Sequence, residues 1–119
     1  MNIQIHTDNE VQLAEVVSEA IVIAKAEDGL DLLGNLYYQG FDNIMIHQHN
    51  ITPAFFDLKT GLAGEILQKF SNYRVRLAII GDFSAYQSQS IRDFIRESNK
   101  TGHIYFVTST SEAIERLLQ

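Results

Sequence analysis

The chain has 119 residues, 45% of them apolar, with one proline and no cysteine. That length supports one domain with a core of its own, and the lack of cysteine excludes a disulfide framework, a thiolate metal site and a thiol nucleophile. A formal charge of −6 argues against nucleic acid as a partner, because phosphate backbones are held by basic surface that displaces counterions.

The first ten residues, Met1 to Glu10, lack the basic and then apolar pattern of a signal peptide. No apolar run approaches the ~20 residues that cross a bilayer. The expectation is a cytoplasmic protein with no membrane partner. Ile3 and Ile5 alternate with polar residues, Thr7 to Glu10 supplies turn chemistry, and Val11 to Val17 follows as a second strand, so the chain opens as a β-hairpin. Ala20 to Ile23 is a short apolar run, either a third strand or an extended entry to a helix. That helix spans roughly Ala26 to Gln39, with Glu27 and Asp28 in its first turn and Gly40 as its stop.

Phe41 to His47 reads as a buried strand centred on Ile44, Met45 and Ile46. Thr52 and Pro53 suit the cap and first position of a second helix, in which Leu62, Ala63, Ile66, Leu67 and Phe70 recur at helical spacing. Gly61 and Gly64 would let it lie close to a sheet. Val75 to Ile80 is continuously apolar, as a central strand would be. A third helix opens at Ser88 or Ser90, and Ile104 to Val107 is the last strand. Ser109 and Glu112 then form a capping box for a final helix. Helices between the later strands favour parallel pairing with right-handed crossovers. The reading is one α/β domain over residues 1–119, with a mixed four- to five-stranded sheet, an N-terminal hairpin and about four helices.

The segments Phe55–Glu65, Gln68–Arg74 and Asp93–Asn99 resemble a bacterial family, domain-of-unknown-function family 4180, over nearly the whole chain. The resemblance implies membership and no mechanism. In the order of its elements the chain also resembles STAS domains, the fold of anti-sigma-factor antagonists. Those carry an Asp-Ser-Ser-Gly turn into their second helix, whose serine is a phosphorylation switch for partner binding. The comparable turn here is Asp57 to Gly61, which has one residue more, a lysine, and Thr60 as its only hydroxyl. That departure weakens the switch and leaves the partner-binding architecture.

Functional groups of an α/β domain collect where strands end and helices begin. Two segments meet that description, His47 to Gly61 and Asp82 to Ser90. The candidate binding residues on them are Asn50, Phe55, Phe56, Asp57, Lys59, Thr60, Gly61, Asp82, Phe83 and Tyr86. Asp57 and Thr60 are equally helix caps, while Lys59 beside a helix start offers a place for a small anion. Adjacent Phe55 and Phe56 cannot comfortably point the same way on a helix, so the expectation is that one of them faces a groove or partner. His47 and His49, two apart on an extended segment, face one side as a metal pair would; they are also ordinary polar residues at an emerging strand. Arg74 and Arg76 read as surface basic groups, and Arg92, Arg96 and Lys100 as a solvated row interleaved with Asp93 and Glu97. No G-x-S-x-G elbow, Walker loop or G-x-G-x-x-G occurs, and no cofactor is implied. The leading expectation is a non-enzymatic regulatory or protein-interaction module, with a protein partner or self-association. The rival is a small-molecule or metal-dependent enzyme using His47, His49, Asp57 and Asp82.

Overall fold

The computed structural model describes all residues, Met1–Gln119. Strands β1 (Asn2–Asp8) and β2 (Val11–Val17) pair antiparallel. They are joined by Asn9 and Glu10, both left-handed at φ 49° and 68°, the mirror-image turn whose twist matches that of the strands. Helix α1 (Ala26–Tyr38) leads to β3 (Asn43–His47), α2 (Leu62–Asn72) to β4 (Arg76–Ile80), and α3 (Gln89–Thr101) to β5 (Ile104–Val107). Helix α4 (Thr110–Leu117) closes the chain. The five strands lie in sequence order, β2 to β5 all parallel.

Each crossover steps the same way across the sheet, so right-handed connections place α1, α2 and α3 on one face. Leu33, Leu36, Ile66 and Phe70 pack there on Val16, Ile44, Ile46 and Ile79. With side chains alternating along each strand, Leu13, Met45, Ala78 and Tyr105 face the other way and meet Ala113 and Leu117 of α4. That second layer lies over β3, β4 and β5, toward one side of the sheet. Glu15 and His47 stand on the same face as Leu13 and Met45, on the hairpin side.

The stretch between β3 and α2 departs from the expected helix beginning at Pro53. It makes three short 3-10 turns, Gln48–Asn50, Pro53–Phe56 and Leu58–Thr60. Thr52 N donates back to Ile23 O (2.8 Å), and Thr52 makes no side-chain cap. Gly61, at φ 75°, is left-handed, which breaks any helix running through it and favours glycine. The run Ala20–Ile23 is an extended entry rather than a strand, with one isolated parallel bridge between Ile23 and Ile51. Arg74 lies outside β4, in a left-handed turn at φ 58°.

Candidate functional site

Strands β3 and β4 are adjacent and parallel, with His47 opposite Ile80, so the segments that follow them emerge on one rim. Gln48 ties the two together. Its Oε1 accepts from the Asp82 amide and its Nε2 donates to the Tyr86 hydroxyl, each at 3.0 Å. Tyr86 stacks on Phe56 (centroids 5.2 Å apart, 19° between planes), and Phe83 joins the same aromatic group at 5.9 Å from Phe56. The Phe56–Tyr86 stack is a wall between two cavities. The first, of about 490 Å³, is lined by His47, Gln48 and His49 with Ile21, Ile51 and Ile80. The second, of about 380 Å³, has Asp57, Leu58, Lys59, Ser88 and Ser90 on its far side.

Loop anchoring keeps the rim in shape. Asn50 is fully buried, its Nδ2 donating to Ser18 O (2.8 Å) and Ala20 O (2.9 Å). Its backbone carbonyl accepts from Val22 N and Ile23 N. These bonds fasten the β2–α1 connection to the end of β3, a structural use for Asn50. Phe55 belongs to the core, 1% exposed, and Phe56 is 5% exposed. Of the two, Phe56 is the one that reaches the cavities. Asp57 Oδ1 accepts from Lys59 N (3.2 Å), and Thr60 Oγ1 accepts from Leu62 N (3.2 Å) while lying 2.8 Å from Ala54 O. Both therefore act as caps in their own turns. The Asp82 carboxylate turns back into its loop, and the Ser84 hydroxyl (2.6 Å) followed by the Ser84 amide holds it below the usual aspartate range.

Gly81 carries the tightest constraint on the rim. A Cβ there would stand 2.4 Å from Gln48 Oε1 and 2.6 Å from Gln48 Cβ. The Gly81→Ala substitution is expected to displace Gln48, release Tyr86 and lower stability by about 2 kcal/mol. Urea unfolding monitored together with tyrosine fluorescence checks it, and wild-type values in both would refute the constraint.

The polar cluster that the sequence reading missed centres on Glu15. Its two carboxylate oxygens meet His6 Nε2 at 2.7 Å and His47 Nε2 at 2.8 Å, so one side chain of β2 bridges β1 and β3. Burial is the largest single influence and opposes ionisation. The hydrogen bonds from His47 and His6, with the two rings' charges, together outweigh it and hold Glu15 below the usual glutamate range. His49 turns its Nε2 to Ser18 O at 2.9 Å, and its ring lies 5.6 Å from that of His47. His47 and His49 thus share the first cavity, whereas Asp57 lines the second and Asp82 lines neither. No three His, Asp or Glu side chains are arranged to hold one metal ion.

A family model described as Domain of unknown function (DUF4180) matches residues 8–117. The chain belongs to this family. No curated protein and no solved structure matches the chain, and the likeness to STAS domains rests on element order alone. No helix is long and apolar enough to cross a membrane.

Proposed function

We propose that this member of the family is a non-enzymatic regulatory or protein-interaction module that binds through the rim formed by His47 to Gly61 and Asp82 to Ser90. The observation behind this reading is the pair of adjoining, partly apolar cavities divided by the Phe56–Tyr86 stack. An extended partner segment can seat successive side chains on either side of such a wall. Lys59, with the Ser88 and Ser90 hydroxyls, gives the second cavity groups for an acidic side chain or small anion.

The test is capture from the native cell at near-endogenous expression, comparing wild type with Ile21→Asp and Tyr86→Ala. Ile21 is 52% exposed, so the charge falls on the rim and not in the core. The reading expects a specific protein whose recovery drops about tenfold in both variants, a loss of about 1.4 kcal/mol. Recovery of no specific protein, or equal recovery by all three, defeats it. The enzyme reading keeps one supporting observation. The first cavity has the size of a small-molecule pocket and holds His47 and His49. Heat on titration with zinc or manganese, abolished by His47→Ala, would favour that rival.

A further inference from the structure

The two edges of the sheet are finished differently. β5 is short and buried along its whole length. On its outer side Asn99 of α3 accepts through Oδ1 from Phe106 N (2.8 Å) and donates through Nδ2 to Phe106 O (3.3 Å). One side-chain amide thus fills the place where another strand would pair. β1, at the opposite edge, has no such cover. Its seven pairs with β2 run in unbroken register, without a bulge. Asp8 and Val11 flank the two-residue turn and close the ladder, so the backbone groups of Asp8, His6, Gln4 and Asn2 point to β2. Those of Thr7, Ile5 and Ile3 point outward. No backbone group outside the ladder reaches them, and the one side-chain hydrogen bond of β1 is that of the His6 ring.

A long, regular edge is a template for any strand that meets it, and proteins blunt such edges with lysine, proline, a bulge or a covering group. β1 has none of these, and its sequence NIQIHTD centres on Ile5, 54% exposed. We propose that β1 pairs antiparallel with β1 of a second copy, about a two-fold axis at Ile5, so that two five-stranded sheets become one. In that register Ile5 faces the partner's Ile5, Ile3 faces the partner's Thr7, Gln4 faces the partner's His6 and Asn2 faces the partner's Asp8. The outward-pointing residues fall into hydrogen-bonded pairs that exchange two bonds each, about six in all. Asp8, the one carboxylate of β1, meets an asparagine, and no like charges are opposed. Ile5 stands opposite Ala14, on the face covered by α1, and pairing removes its side chain from water. The occupant is a strand because backbone groups are what is left unpaired. It is a copy of β1 because the register is self-complementary and β5 is sealed, which leaves β1 as the edge that a copy has to offer. Like edge on like edge closes on a two-fold instead of growing a fibre. A seam of one strand from each copy is small for an interface, which sets dissociation at about 10 μM.

The experiment is sedimentation of the full chain across that concentration, together with NMR of a sample mixing isotope-labelled and unlabelled copies. Wild type is expected to pass from monomer to dimer. At about 300 μM the mixed sample is expected to show a contact between the α-protons of Gln4 and the partner's His6, a close pair in this register alone. Ile5→Lys sets two ammonium groups face to face and is expected to weaken the dimer at least about tenfold. Ile5→Pro removes the outward N–H, a change that an edge strand tolerates, and is expected to do the same. Ile5→Val, still apolar and β-branched, is expected to stay within about threefold of wild type. In Ile5→Lys the Ile3 and Thr7 amides are expected to exchange faster than in wild type at equal concentration, with Gln4 and His6 unchanged. A monomer up to about 500 μM, a dimer indifferent to both Ile5→Lys and Ile5→Pro, or a dimer lacking the Gln4–His6 contact would each overturn the proposal. If either variant fails to fold, the wild-type contact decides alone. The rim reading is tested separately, since Ile21 and Tyr86 lie outside β1.

Discussion

Replacing Arg76 by alanine is expected to lower stability by about 3 kcal/mol, among the largest effects of any polar substitution in this chain. Arg76 opens β4 at the edge opposite the candidate site, and its guanidinium serves two helix ends at once. Nε and Nη2 donate to Gly102 O (3.2 and 3.0 Å), which follows α3. Nη1 donates to Leu117 O (2.8 Å) and Gln119 O (3.0 Å), and Nη2 also reaches Arg116 O (3.2 Å), all at the end of α4. The Tyr105 hydroxyl accepts from Nη2 at 2.8 Å, and the guanidinium carbon lies 5.3 Å from that ring's centroid. Helix C-termini leave carbonyls without intrahelical donors and gather partial negative charge, so a planar cation with five donors suits them. Alanine removes those donors together and frees the last turn of α4. The Arg76→Lys variant keeps the charge without the fork, and is expected to recover less than half of the loss. Urea unfolding gives the magnitude, and hydrogen exchange is expected to show α4 opening first. A change below about 0.5 kcal/mol would mean that water replaces the fork, as at an ordinary surface arginine.

That same arginine shows where the sequence stopped being readable. In the chain it stands beside Arg74 and looks like surface charge. Its partners lie between 26 and 43 residues away, and no local periodicity points to them. What was readable is what local chemistry decides. The hairpin, the parallel order of the later strands and the end of α1 near Gly40 all follow from alternation, crossovers and a left-handed stop at φ 94°. At Ser109, the Oγ accepts from Glu112 N (3.1 Å) as a capping residue should, but Glu112 Oε1 reaches back to Thr108 N (2.9 Å) instead of completing the box. Thr52 and Pro53 carry a correct local signal for a helical start, yet the Thr52–Ile23 bond and Gly61 limit it to a turn. The glycines divide in the same way. Gly64 suggests close packing but has nothing within 4 Å of its would-be Cβ, whereas Gly81, which no sequence signal singles out, is the glycine pressed hardest against a neighbour.

On the candidate site, the shared rim was legible because parallel neighbours put His47 and Asp82 at the same end. That His47, His49, Asp57 and Asp82 do not converge was not legible, because side-chain direction in irregular turns depends on which backbone groups each one meets. Glu15 was half legible. Hairpin register puts His6 opposite Leu13, beside Glu15 on the same face, and simple alternation could have paired them. The second partner, His47, becomes visible only once β2 is known to lie next to β3.

For Glu15 the expected result is a loss of about 3 kcal/mol in Glu15→Ala at neutral pH, and about 2 kcal/mol in Glu15→Gln. The carboxylate accepts two hydrogen bonds in a largely buried position, and alanine strips both imidazole N–H groups of their acceptor. Glutamine keeps one acceptor but turns an N–H toward the other ring, donor against donor. The consequence reaches beyond the side chain because the hairpin joins the parallel body through only two paired positions, Ala14 with Ile44 and Glu15 with Met45. The His6–Glu15–His47 bridge spans that short seam, so hydrogen exchange is expected to open β1 and β2 before β4. The pH dependence has a fixed sign. Because the folded carboxyl lies below its ordinary value of 4.5, its contribution is complete above that pH and is lost as pH falls through the lowered folded value. The stability difference between wild type and Glu15→Gln is therefore expected to shrink as pH falls below about 4.5. Asp82 and the other carboxyls titrate in both proteins and drop out of the difference. Parallel stability curves through the acid range would show that Glu15 bridges the two histidines without any preference for its ionised form.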